Sequence, residues 1–230
     1  MGTSDRVRGL TLTVGSDRRC YHGEKVVPLK PIRALTWSDG ASADWALVQQ
    51  CASGDETACA RLVTDHQRMV YQLALQLLGD PQEALDLSQE VFLSVFRRLN
   101  YFRGQSTLRT WIYRIVVNHA SNRLRWWRRR RKSQQVPLED HAVQRGELAE
   151  SRSFAQPDRV LQQRETAGLV WHALGQLPFD QRTAIVLREI HGLSYEEIAA
   201  SLGVAVGTVK SRLARARTTL RSTLRPYDQG

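Results

Sequence analysis

With 230 residues, 33 Lys and Arg against 23 Asp and Glu, and a formal net charge of +10, the chain is suited to a polyanionic partner, either nucleic acid or an acidic membrane surface. No apolar run approaches the roughly 20 residues of a membrane-spanning helix, and the N-terminal segment lacks the apolar core of a secretory signal, so the expected location is the cytoplasm without stable membrane insertion. Cys20, Cys51 and Cys59 are odd in number and lack CxxC spacing, so they read as reduced thiols, not as a disulfide framework or metal ligands. His66 stands near Cys59, but no further ligand pair accompanies it, and neither a metal nor a cofactor is expected.

Residues 1–42 mix Gly, Ser, Pro and charged residues without a sustained helical period. Two stretches, 10–14 and 25–29, have strand character but no partner beyond each other, so this segment reads as an N-terminal extension, disordered or weakly structured. From Asp44 the pattern is helical. Asp44 can cap a helix carrying Trp45, Leu47, Val48 and Cys51, which Gly54 ends. Asp55 starts a longer one whose apolar stripe (Ala58, Leu62, Val63, Met69, Val70, Leu73, Leu77 and Leu78) runs to Gly79.

Asp80-Pro81 pairs a cap with proline at the first helical position. In the helix that follows, over 82–99, the predicted core side gathers Ala84, Leu85, Ser88, Val91, Phe92, Val95, Phe96 and Leu99. Opposite lie Asp86, Gln89, Glu90, Leu93 and Arg97, with Leu93 out of place among polar neighbours. That face reads equally well as a solvated surface with one stray leucine or as a docking surface for another protein.

A loop rich in aromatic and amide groups follows at 100–105, before Ser106 as the predicted cap of the next helix. That helix buries Leu108, Trp111, Ile112, Ile115, Val116 and His119, and turns Thr110, Arg114, Asn118, Ser121, Arg125 and Arg128 outward. Between Arg123 and Lys132 there are seven cations and no acid, interleaved with Trp126 and Trp127. Cations with aromatics suit a nucleic-acid surface. A membrane-surface helix and a plain solvated helix are the alternatives, the former weakened by the Thr, Asn and Ser of the polar face.

Residues 133–157 are polar and slightly acidic with Pro137, Gly146 and Pro157, and read as a flexible linker with one frail helical turn around Glu147. Asp158 opens a second helical domain with Val160, Leu161, Leu169, Val170 and Leu174 inside, then a short helix over 180–190. The segment 193–217, LSYEEIAASLGVAVGTVKSRLARAR, spells two short helices and a tight turn. Ser194 and Glu197 form a capping box, Leu193 can staple onto Ile198, and Gly203 supplies the left-handed stop. At 100° per residue, Val206, Val209, Leu213, Ala216 and Leu220 share the buried side of the second helix. Thr208, Ser211, Ala214, Arg215 and Thr218 lie opposite, flanked by Lys210 and Arg212, which is the chemistry of a recognition helix in a DNA major groove. An ordinary helical hairpin with a charged face is the competing interpretation.

Three runs together carry a family resemblance: DLSQEVFLSVFRRL from Asp86, FRGQSTLRTWIYRIVVNHASNRLR from Phe102, and the 193–217 segment. In this order and spacing the chain resembles a bacterial RNA polymerase sigma factor of the extracytoplasmic-function class, over about residues 44–225. The resemblance implies an all-α fold of two small helical domains joined by a flexible linker, the second a helix-turn-helix domain. It implies residues 43–132 for core polymerase and −10 element binding, 133–157 as linker and 158–226 for −35 element binding.

Core RNA polymerase would then dock on Asp86, Gln89, Glu90 and Leu93. The promoter's −10 strand would be held by Asn100, Tyr101, Phe102, Arg103, Arg114, Asn118 and Arg123. The −35 duplex would be read by Thr208, Lys210, Ser211, Arg212, Arg215 and Arg217, with Arg217 nearer the buried side and so suited to phosphate or packing duty. Promoter DNA, core polymerase and an anti-sigma factor are the implied partners. No nucleophile-and-base set is found, so no catalytic residue is expected. Ala214 stands where the family often has a larger residue, and the segment before Asp44 is longer than usual. A free-standing regulator with a helix-turn-helix output domain is the alternative function, and it would bind duplex DNA without polymerase.

Overall fold

Capping groups set most of the helix boundaries. In the computed structural model, which describes residues 40–134 and 157–225, the first domain holds α1 (Gly40–Ala52), α2 (Glu56–Leu78), α3 (Pro81–Arg98) and α4 (Leu108–Gln134). Asp55 accepts from the N–H groups of Thr57 and Ala58 to start α2, and Gly79, at φ 78°, stops it. Asp80 accepts from the Glu83 N–H with Pro81 in the first turn of α3. A 3-10 turn, Leu99–Tyr101, follows α3.

Two expected caps are reassigned. Thr107, not Ser106, caps α4, its Oγ1 accepting from the Thr110 N–H at 3.1 Å. Asp44 lies inside α1 and turns its carboxylate to the Leu108 N–H, 2.9 Å away, so it caps α4 instead of its own helix. The free N–H groups of a helix start need an acceptor, and the fold supplies one from a distant segment.

The second domain holds α5 (Pro157–Gln176), α6 (Phe179–Ile185), a π-helical turn (Val186–Ile190), α7 (Tyr195–Leu202) and α8 (Val206–Leu224). The capping box is present in full: the Ser194 N–H donates to Glu197 Oε2 at 2.8 Å and the Glu197 N–H to Ser194 Oγ at 3.1 Å. Gly203, at φ 65°, ends α7 in the left-handed region. Val209, Leu213 and Ala216 are buried and Val206 and Leu220 pack against the same core, as the angular projection of α8 predicts.

The domains pack against each other. A single apolar core runs from Leu62, Leu73, Leu87 and Ile112 through to Leu187, Ile198, Val209 and Leu213. At the junction α7 lies on α4, where Ser201 Oγ donates to the Thr110 carbonyl at 3.4 Å. Tyr113 is fully buried, and its hydroxyl meets His191 Nδ1 at 3.0 Å with the two rings edge-on. His191 Nε2 donates to Gln76 Oε1 at 2.8 Å, which leaves Nδ1 to accept from the Tyr113 hydroxyl. The two domains, expected to be joined by a flexible linker, are thus in contact in this structure. The strand candidates at 10–14 and 25–29 and the linker core at 135–156 lie outside the described residues.

The expectation of reduced thiols is corrected for Cys51 and Cys59, while Cys20 lies outside the described residues. Gly54, at φ 93°, folds the chain back between α1 and α2, bringing the Cα atoms of Cys51 and Cys59 to 5.0 Å, and their sulfurs form a disulfide. Eight residues across an interhelical turn carry no spacing signature, so the sequence alone did not reveal the pair.

Candidate polymerase and nucleic-acid interfaces

On α3 the exposed face is more apolar than its pattern suggested. Leu93 is 56% exposed and Leu85, expected inside, is 47% exposed, while Leu87 takes the core position. Leu85 and Leu93 leave a broken apolar surface around Asp86 and Gln89, both exposed. Glu90 is only half open, because its carboxylate accepts from Arg123 Nη2 at 2.6 Å and lies 3.7 Å from His119 Nδ1. The His119 hydrogen bond and the Arg123 charge hold the Glu90 carboxyl below the usual carboxylate range against the opposing effect of burial.

Arg123 also binds Glu83. Its guanidinium therefore ties α4 to α3 through two carboxylates, where the sequence had assigned it to a DNA strand. Nothing local signals this: Glu83 and Glu90 are 40 and 33 residues away.

In the loop at 100–105, Tyr101 is 75% exposed, and Asn100 and Arg103 are open to solvent. Phe102 is not available to a base. It is buried between Trp45, at 6.1 Å between ring centroids, and Trp111, at 5.5 Å and edge-on. Loop aromatics alternate between anchoring and presenting, and single-residue hydrophobicity does not distinguish the two roles.

Along α4, Asn118 is exposed and Arg114 half-buried, with burial alone pulling the Arg114 guanidinium below its ordinary pKa. A Cβ placed on Gly203 of the interhelical turn would lie 3.6 Å from Arg114 Nη2, so the turn rests on this arginine. A groove of about 150 Å³ separates Val117, Asn118 and Ser121 from Phe179, Leu202, Val204 and the Asp180–Arg212 pair. Farther along α4, Trp126 is exposed with the Arg130 guanidinium 5.0 Å over its ring, and Arg125, Arg128 and Arg129 are exposed.

On α8, Lys210, Ser211 and Arg215 stand exposed on one stripe, with Thr208 half-buried at its start. Lys210 and Arg215 have no ion-pair partner among the described residues. The other cations are engaged: Arg212 pairs with Asp180 at 2.7 Å, and Arg217 with Glu189 at 2.7 Å. Arg217, expected nearer the buried side, is exposed and held at the surface by Glu189. Among the described residues no three His, Cys, Asp or Glu side chains come together as a metal-binding group, and no helix is long and apolar enough to cross a membrane.

Residues 62–132 match the sigma-70 region 2 family and residues 167–220 the sigma-70 region 4 family. The chain is 39% identical over 183 residues to RNA polymerase sigma-H factor of Pseudomonas aeruginosa, covering 80% of this chain and 94% of that one. It is 37% identical over 184 residues to the ECF RNA polymerase sigma-E factor of Escherichia coli, covering 80% and 95%. Among solved structures, CnrH in complex with the cytosolic domain of CnrY aligns with a TM-score of 0.56 at 27% identity, over 80% of this chain and 98% of that one. The sigma factor RpoE of Bartonella quintana, in complex with the anti-sigma factor NepR, aligns with a TM-score of 0.58 at 27% identity, over 72% and 96%. With both regions in order and relatives matched over nearly their whole length, the chain belongs to the sigma-70 family as an alternative sigma factor of the extracytoplasmic-function class.

Proposed function

We propose that the chain works as a two-point clamp on promoters, with residues 158–226 fixing register on the −35 duplex and residues 43–132 holding both polymerase and the opened −10 strand. Arg215 and Lys210 face the −35 duplex with Ser211 and Thr208, small side chains that permit close approach. Arg212 and Arg217, held by Asp180 and Glu189, orient α8 and contribute to phosphate attraction.

Core polymerase docks on Asp86, Gln89 and Leu93, with Leu85 extending the apolar contact and Glu90 at the edge. Tyr101 receives an unpaired base by stacking, worth about 1–3 kcal/mol, against an unstacking cost of a few kcal/mol. Asn100, Arg103, Arg114 and Asn118 hold the strand. Phe102 and Arg123 support this surface from inside. The chain performs no catalysis itself and acts in the cytoplasm, where the polymerase carries the chemistry. An anti-sigma factor is its partner, a reading supported by the RpoE neighbour, which was solved in complex with the anti-sigma factor NepR.

The observation that carries this reading is the exposed Lys210, Ser211 and Arg215 stripe on a helix whose opposite side is buried and whose preceding helix is fully capped. Run-off transcription with core polymerase on a random promoter pool tests it. Enriched −35 and −10 sequences at a fixed spacing are expected; transcripts identical to those of core enzyme alone would sink the reading.

A further inference from the structure

Cys51 sits on the helix that props the loop at 100–105. Asp44, Val48 and Cys51, at spacings i, i+4 and i+7, share the inner face of α1. Asp44 reaches the Leu108 N–H at 2.9 Å, and Trp45 packs on Phe102 and on Gly104, whose φ is 63°. The exposed Tyr101 of this loop is thus held between the buried Leu99 and Phe102, and Phe102 is held in turn by α1. Yet α1 is anchored lightly. Of its 13 residues, Val48 and Cys51 are the hydrophobic ones fully buried among those described, and a helix this short has little stability of its own. Its covalent bond to Cys59 of α2 is a large share of what keeps it in place.

RNA polymerase works in a reducing compartment, where disulfides are mostly those that form and break in use. The geometry of the pair suits such use. Cys51 is buried, whereas Cys59 is half-buried beside the exposed turn residues 52–57, so a small reagent reaches the Cys59 sulfur from solvent. Cys59 Sγ also lies 3.6 Å from the Cys51 carbonyl oxygen, an acceptor for the thiol once the bond is reduced. The same turn accommodates both states. We propose that Cys51–Cys59 is a reversible redox site that sets how firmly α1 holds the loop presenting Tyr101: the disulfide form captures the −10 strand, and the dithiol form does so weakly. This rests on the assignment of the −10 strand to that loop given above.

The oxidant is a peroxide. The Cys59 thiolate attacks one oxygen of hydrogen peroxide, the O–O bond breaks, and the thiol's proton joins the departing hydroxide as water, leaving a sulfenic acid on Cys59. The Cys51 thiolate then attacks the Cys59 sulfur. The S–S bond forms and the sulfenic oxygen leaves with the Cys51 proton as a second water, so two thiols and one peroxide give one disulfide and two waters. The reductant is a dithiol. One of its sulfurs attacks Cys59 and Cys51 leaves as a thiolate; its second sulfur then closes on the first and frees Cys59, so two electrons and two protons pass to the pair.

The experiment prepares the full chain with hydrogen peroxide or with dithiothreitol and removes either reagent before core polymerase is added. Peptide mapping of alkylated thiols reads the state of the pair. Amide hydrogen exchange at Leu108 reads the hold of α1, and run-off transcription on the random promoter pool reads strand capture. Dithiothreitol should open the pair and peroxide should restore it. In the reduced chain Leu108 should exchange faster and the run-off yield should fall about tenfold, as for the loss of part of one base's stacking. Cys59→Ser should give the reduced yield after either treatment. Trp45→Ala should keep the thiol chemistry but give the reduced yield in both states, a result that a disulfide acting as a general brace would not produce.

A pair that dithiothreitol leaves closed, equal Leu108 exchange in the two states, or equal run-off yield overturns the proposal. So does a redox response that survives in Trp45→Ala. Should Cys59→Ser fail to fold by circular dichroism, Cys51→Ala decides in its place. Failure of the promoter reading looks different: Leu108 exchange follows the redox state, but the transcripts in both states match those of core enzyme alone, which overturns strand capture by the loop and its redox control together.

Discussion

The carboxylate of Asp44 accepts a hydrogen bond from the backbone N–H of Leu108 at 2.9 Å, across 64 residues of sequence. The first helix therefore organises the start of α4 and, through Trp45 against Phe102 and Gly104, the loop before it. Asp44→Ala removes a helix cap worth about 1 kcal/mol and should lower the melting temperature by roughly 2–4 °C. Asp44→Asn keeps an acceptor and should retain most of it. Equal melting of all three chains in calorimetry would show that the Leu108 N–H finds another partner.

The Cys51–Cys59 disulfide closes a short loop between α1 and α2. Cross-linking a loop of this length stabilises by about 2–3 kcal/mol in the chain-entropy account, so reduction should make α1 the first helix to exchange its amide hydrogens. Hydrogen exchange with and without a thiol reductant measures this. Cys51→Ser should behave like the reduced wild type under both conditions; protection of α1 that ignores reductant would refute the role.

Lys210 and Arg215, on the exposed stripe of α8, have no ion-pair partner among the described residues, and Arg212 and Arg217 are already held by acids. Arg215→Ala should cost about 1–3 kcal/mol at one −35 base pair and relax preference there. Lys210→Ala should weaken all sequences alike and reduce the salt slope by about 1. Promoter-library selections at two salt concentrations separate these effects, and an Arg215→Ala profile identical to wild type would remove its base-reading role.

Leu93 is the more exposed of the two leucines on the outer face of α3, whereas Glu90 is bound to Arg123 and beside His119. Leu93→Asp should abolish co-purification with core polymerase while leaving the melting temperature within about 2 °C of wild type, as expected for a surface change. Glu90→Ala should instead destabilise the first domain, by about 1–3 kcal/mol, because it leaves a half-buried arginine with one fewer acceptor. Retained polymerase binding by Leu93→Asp would move the docking surface elsewhere.

Local signals were legible in the sequence because their physics is local. The Ser194–Glu197 box, the Asp55 and Asp80 caps, the glycine stops at Gly79 and Gly203, and the buried stripe of α8 all depend on residues three to four apart. What was missed depends on distance in sequence: Asp44 reaching Leu108, Arg123 reaching Glu83 and Glu90, Arg217 reaching Glu189, and Cys51 meeting Cys59. The error at Leu85 has another origin. Leu85 and Leu87 stand on either side of the boundary between core and surface, and a shift in the apolar stripe exchanges them. On α8 and in the loop, Lys210, Ser211, Arg215, Asn100, Tyr101 and Arg103 stand exposed, as the pattern requires of surface residues, whereas Phe102 and Arg123 face inward because tertiary partners claim them.

The junction between the domains should respond to acid before the domains do. Burial between Gln76 of α2 and Tyr113 of α4 pushes the His191 imidazole down from 6.5 to about 4, and the Arg109 charge adds to the shift. Glu197 of α7 is the nearby acid that acts on Tyr113. The closed form therefore holds His191 neutral where an opened or unfolded chain would protonate it. Above pH 6.5 the ring is neutral in both forms and closure has its full stability. Between 6.5 and about 4 the open form takes up a proton that the closed form refuses, so closure weakens as pH falls, by about 1–2 kcal/mol after allowing for solvent screening. Glu90 acts in a lower window: its carboxyl, held down by His119 and Arg123, contributes stability above its ordinary value of 4.5 that is lost as pH falls through the folded value. The distance between a donor and an acceptor dye placed on the two domains of the wild type should thus increase between pH 6.5 and 4 while helix content stays constant, and His191→Gln, which cannot titrate, should flatten that response without altering the loss of helix at lower pH. A wild-type chain whose dyes separate only together with helix melting would place the first acid-sensitive group inside a domain instead of at the junction.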